Sequence, residues 1–128
     1  MPVTYSIDNA RNIIHTRCEG EVTFQEVTDH FAKLISDPTC PPRLNVLLDL
    51  TGLTSAPTSE QVRRVSSVIE DSRKHIVFDT CAIAVSSELL YGMMRIFEVF
   101  TEKNFRQTRT FRSLDKAREW LNEQVPGG

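Results

Sequence analysis

The sequence is poor in the signals that mark catalysis. It has no HExxH and no GxSxG, and its five glycines build neither GxGxxG nor a Walker A loop. Metalloprotease, serine-hydrolase and nucleotide-binding chemistry therefore lack their usual markers. Cys18, Cys40 and Cys81 are scattered, odd in number and without a CxxC, so they offer no metal-ligand spacing and point to a reduced, cytosolic compartment. His15, His30 and His75 share no local spacing and read as surface histidines. A basic excess is also missing. The formal charge is -2, which argues against nucleic acid or a membrane surface as partner. No run approaches the ~20 apolar residues of a bilayer-spanning helix. The opening MPVTYSIDNAR has no basic segment followed by an apolar run, so no secretory signal is read. No residue set can be assigned nucleophile, base and oxyanion roles, and neither an enzyme nor a cofactor is expected.

What is present is a globular pattern: 128 residues, 40% hydrophobic and 25% charged, enough for one domain with its own core, spanning 1–128. Val3 to Ile7 alternates apolar and polar residues, and Asn12 to Cys18 does the same after the turn formers Asp8-Asn9. Two half-buried strands in a hairpin are predicted. Thr23-Phe-Gln-Glu26 is a capping box that opens a helix to about Ser36, with Phe24, Val27, Phe31, Leu34 and Ile35 as its buried stripe. Leu44 to Leu50 is a nearly continuous apolar run, as in an inner strand buried on both faces. A loop from Thr51 to Pro57 and a second capping box, Thr58-Ser-Glu-Gln61, lead into a helix to about Lys74.

Thr80 to Ser86 is a further inner strand. It sets Cys81, Ile83 and Val85 on one face and Ala82 and Ala84 on the other, where a helix can pack close. Cys81 reads as a small core residue. A helix follows from Ser87 to about Lys103, then a polar edge strand, Gln107 to Phe111, and a last helix capped by Ser113. Pro126-Gly127-Gly128 reads as a frayed end. The order ββαβαβαβα implies an α/β domain, a mainly parallel five-stranded sheet with one antiparallel strand, packed by four helices.

That order, the LLDL strand at 47–50, the AIAVS strand at 82–86, the YGMMRIFEVF helix at 91–100 and the closing TFRSLDKAREWL at 110–121 resemble the bacterial SpoIIAA-like family. That family has a STAS-type fold, also described as CRAL-TRIO-like. The resemblance implies a cytoplasmic, non-catalytic regulatory domain that works through a protein partner, as anti-sigma-factor antagonists do. In those proteins a kinase phosphorylates a serine at the start of the helix after the central strand, within a sequence close to Asp-Ser-Ser-Gly. The corresponding stretch here is Pro57-Thr58-Ser59-Glu60; it lacks the Asp and the Gly, and Thr58 takes the phosphorylated position. In the CRAL-TRIO direction, the resemblance implies an apolar or lipid-like ligand.

The candidate phosphorylation or partner site therefore comprises Thr58, Ser59, Thr54, Ser55 and Asp49. Thr58 serves equally as a helix cap, and Asp49 equally as a carboxylate that shapes its own turn. A second candidate lies on the helix from Ser87, whose apolar residues cover roughly 200° against the 100° or somewhat more that one sheet contact needs. The excess, around Leu90, Met93, Met94 and Phe97, fits further core, a homodimer contact or the wall of an apolar ligand pocket.

Overall fold

The computed structural model describes residues 2–125, so the closing Pro126–Gly128 lies outside the described residues. The elements run β1 (Val3–Asp8), β2 (Ile13–Gly20), α1 (Phe24–Ile35), β3 (Arg43–Leu53), α2 (Ser59–Ser72), β4 (Val77–Ala84), α3 (Glu88–Phe100), β5 (Gln107–Phe111) and α4 (Leu114–Gln124). The five strands lie in sequence order, β1 antiparallel to β2 and the others parallel. This is the expected mainly parallel sheet, with β3 at its centre and β5 on an edge.

Turn chemistry sets the hairpin. Asp8 Oδ1 accepts from the amides of Ala10 and Arg11 at 3.1 and 3.3 Å, and Asn12 takes a left-handed φ of 54°, which Asn tolerates better than most residues. Three successive crossovers of one hand then place α1, α2 and α3 on the same face of the sheet. Leu34, Val62, Ile69, Leu90, Met94 and Phe97 meet Ile14, Leu50, Cys81, Ile83 and Val85 there. Among the described residues α4 is the helix that covers the opposite face, where Ala117 and Leu121 pack on Ile13, Leu47, Ala82 and Ala84.

Several boundaries and faces differ from the sequence expectation. β3 continues through Leu53, since after a one-residue register shift beyond Arg17 the pairing resumes at Gly52 with Glu19 and Leu53 with Gly20, so the loop shrinks to the residues just after it. α2 and α3 end earlier than expected, α3 where Thr101 turns its hydroxyl back to the Phe97 carbonyl at 2.9 Å. On α1 the inner stripe is rotated: Ile35 is exposed, and His30 turns inward between the rings of Tyr5 and Phe31, with centroids at 5.4 and 5.2 Å. His30 belongs with Val27, Phe31 and Leu34 in the spacing i, i+3, i+4, i+7. The surface reading of His30 is thus corrected.

Helix α3 needs a similar correction. Leu90, Met94 and Phe97 are buried by their own chain, and Met93 is partly buried against the same core. Leu90, Met94 and Phe97 therefore leave no free flank for a second subunit. The exposed apolar line is Leu89, Ile96 and Val99. This rotation of the helix is accompanied by a polar contact that patterning does not reveal: the Thr110 hydroxyl of β5 donates to Glu98 Oε2 at 2.6 Å.

Ala82 and Ala84 are fully buried beneath α4, so that interface has no room for a larger side chain. Replacing Ala84 by Leu should cost about 1–3 kcal/mol, the usual penalty for overpacking a closed core, read as a lower urea midpoint at unchanged m-value.

Candidate functional site

The face under α1–α3 is built differently from the face under α4. Val46 and Leu48 sit in the central strand beneath the helical layer, yet both are only partly buried. They border a cavity of about 490 Å³ between that layer and the sheet. Leu50, Leu53, Val62, Val65, Met94 and Phe97 continue its apolar wall.

Aromatic contacts hold the layer over this space. At one end the Arg64 guanidinium stacks on the Phe24 ring at 4.0 Å, joining α2 to the start of α1. At the other, Phe31 meets Phe78 edge-on at 6.4 Å, and Phe78 meets Phe105 at 5.3 Å. Leu34, Ile69, Phe78 and Phe105 are all buried and close that end. The exposed lining residues, Glu21, Thr23, Ser55 and Gln61, lie together where β2 and β3 end and α1 and α2 begin. The mouth is therefore at the carboxyl ends of the parallel strands, the usual ligand side of an open α/β sheet. Gly20, with φ of 67°, turns the chain off β2 at this rim.

Two polar side chains lie deep in the wall. Thr16 projects from β2 and His30 from α1; neither is hydrogen-bonded through its side chain to another described residue. Gly20 is four strand positions on from Thr16, and His30 is seven helix positions on from Thr23. Both groups thus lie about 10–13 Å below the rim. Burial, with a smaller contribution from the Lys33 charge, lowers the His30 pKa to about 4 and keeps the imidazole neutral. Burial pushes the Cys18 thiol up to about 11 and raises that of Cys81 as well, so thiolate is scarce at either position at neutral pH.

The hydroxyl-rich candidates occupy the rim and its surroundings. The Thr58 hydroxyl accepts the Gln61 amide at 3.2 Å, and Gln61 Oε1 accepts the Thr58 amide at 2.7 Å, a reciprocal capping box. Ser55 lines the mouth, while Thr54 and Ser59 are exposed beside it. Asp49 does not join them. Its Oδ1 accepts from the Thr51 amide at 3.0 Å and the Thr51 hydroxyl at 2.6 Å, and Arg17 lies 3.9 Å from Oδ2. β-strand alternation puts Asp49 on the face opposite Leu48 and Leu50, away from the cavity. Of the α3 candidates, Met94 and Phe97 line the cavity, while Leu90 and Met93 lie in the core beside it.

Sequence patterning did not reveal the roles of Thr16 and His30. Thr16 has no distinguishing mark in a strand that alternates apolar and polar residues, and His30 reads from the sequence as a surface histidine. A His at i+3 from Val27 and i−4 from Leu34 was the available signal. Among the described residues no group of three His, Cys, Asp or Glu side chains could hold a metal ion, and no helix is long and apolar enough to cross a membrane. A second pocket, of about 290 Å³, lies at the opposite end of the sheet against Arg73, Lys103 and Arg106. There Arg73 donates to Asn104 at 3.3 Å and Arg106 to Asp79 at 2.5 Å.

The model of the SpoIIAA-like family matches residues 13–122, and the chain belongs to that family. No curated protein matches the sequence.

Two measurements test the local chemistry. Thr58→Ala should lower stability by about 1 kcal/mol through loss of the cap, seen in denaturant titration. For His30 the sign follows from its lowered pKa. Between about 4 and the ordinary 6.5 the unfolded chain binds the extra proton, so stability is lost as pH falls through that window. His30→Phe should therefore lose less stability than the parent between pH 7 and pH 5, by about 1–2 kcal/mol. Thermal melts at the two pH values would show it, and parallel losses would assign the imidazole no such role.

Proposed function

We propose that this SpoIIAA-like protein is a non-catalytic, STAS-type regulatory domain, the chain acting as one unit, whose input is occupancy of the cavity by an apolar small molecule. The cavity itself carries this reading. Its volume falls in the ~300–1,000 Å³ range of small-molecule sites, its wall is mainly aliphatic and aromatic, and its mouth lies at the strand ends. Met94 and Phe97 make α3 part of the wall, which fits the pocket alternative raised by the over-apolar helix. Each methylene moved from water into such a site is worth about 0.8 kcal/mol. A chain of about ten carbons therefore supplies enough free energy for useful affinity after the cost of immobilising it.

A protein partner fits the same picture at the rim. Thr54, Ser55, Thr58 and Ser59 surround the mouth, so a partner there would meet a surface that changes when a ligand enters. Phosphorylation has weaker support than partner contact, because the stretch 57–60 lacks the flanking Asp and Gly and the Thr58 oxygen already accepts the Gln61 amide.

Native mass spectrometry of protein purified from its own host, followed by organic extraction, should reveal a bound lipid-like molecule. Leu48→Phe supplies the structural control. In a closed core the added volume would cost about 1–3 kcal/mol; against the cavity it should cost under about 1 kcal/mol and weaken ligand binding at least tenfold. A fully destabilised Leu48→Phe protein, or a parent that takes up no apolar compound, would rule the reading out.

A further inference from the structure

We propose that the cavity selects an electrically neutral, lipid-like molecule carrying a hydroxyl or carbonyl group, and discriminates against a fatty-acid anion. This rests on the pocket reading above and adds a headgroup chemistry to it.

The charge of the lining is the first reason. Among the described residues no Lys or Arg lines the cavity, and Glu21 at the mouth is its one charged side chain. A carboxylate drawn inside would have no cation to pair with, and an unpaired buried charge is costly. At the rim it would meet the Glu21 carboxylate. Two cations on the surrounding helices are engaged with rings: Arg64 stacks on Phe24, and Lys33 lies 5.7 Å from the centroid of the Tyr5 ring.

The second reason is the pair of deep polar groups. Thr16 Oγ1 can donate and accept, and a neutral imidazole can do the same through its two nitrogens. Both elements carry these groups to similar depth, facing the same cavity. Tyr5 and Phe31 hold the His30 ring edge-on from two sides, and Tyr5 is itself anchored by donating to Asp37 Oδ2 at 2.6 Å. The imidazole is thus positioned by packing, with its polar atoms unused by the described residues. A hydroxyl or carbonyl can satisfy such groups without bringing a charge. Below them the space is closed by Leu34, Ile69, Phe78 and Phe105, which suits hydrocarbon only.

Displacement of the neutral dye Nile red from the full-length protein at pH 8 tests this, with 1-decanol, decanoate and decane as competitors. 1-Decanol should displace the dye at a concentration at least tenfold below that of decanoate. Thr16→Val, which keeps the side-chain shape, and His30→Phe should each weaken 1-decanol about fivefold, the value of one hydrogen bond, and leave decane unchanged. Decanoate competing as well as 1-decanol, or both variants binding 1-decanol like the parent, would overturn the neutral-headgroup assignment while the pocket stands. Failure of the parent to bind the dye and all three competitors would overturn the pocket itself. Thr16→Val keeps the test open if His30→Phe folds poorly.

Discussion

β3 is hydrogen-bonded along both edges, to β2 and to β4, and the rest of the structure depends on that double pairing. A strand held on both sides cannot rotate, so each of its side chains is committed to one face. Leu47 goes to the face under α4, while Val46, Leu48 and Leu50 go to the face under α1–α3. A buried amide helps keep the register at the entrance of the strand, where the ladder to β4 is irregular between Leu44 and Val46. Asn45 Oδ1 accepts the Thr80 amide at 3.3 Å, and Asn45 Nδ2 reaches the Asn12 carbonyl at 3.4 Å.

The two faces then diverge because their residues differ in size. Alanines at 82 and 84 bring α4 onto the sheet with no space to spare. On the other face the helical layer rests at one end on Phe31, Phe78 and Phe105, and is tied at the other by the Arg64–Phe24 stack. Rings at the ends, with medium aliphatic side chains between them, leave the middle of the layer standing off the strand. Close packing and open space thereby fall on opposite sides of one sheet. Enlarging a side chain should therefore cost more under α4 than against the cavity.

The electrostatics follow from the same arrangement. Burial without a carboxylate partner leaves His30 neutral, in contrast to Asp79, whose bonds to Arg106 and Arg43 at the exposed end of the sheet keep its pKa low against the opposing effect of burial. Charged chemistry is concentrated at the surface and at the far end. The cavity retains hydrogen-bonding capacity, through Thr16 and His30, without a lysine or arginine among its described lining residues.

Element order and the division of β4 into a large-residue face and an alanine face were legible from residue periodicity, because strand alternation and helix capping are local; the family was legible only as a resemblance of motifs. Thr23, Thr58, Ser87 and Ser113 accept the amides that their positions predict. Rotation of the helices was not legible. On α3 apolar residues cover too much of the circumference to choose a face by periodicity; tertiary packing of Leu90, Met94 and Phe97 and the contact between Thr110 and Glu98 define it. On α1 the inward turn of His30 depends on Tyr5, which is distant in sequence. The cavity was further still from view, since it is a gap left between layers and no single residue encodes a gap. Local periodicity determined which residues could be inside; the spacing of the layers, set by rings distant in the chain, decided that part of the inside is a cavity.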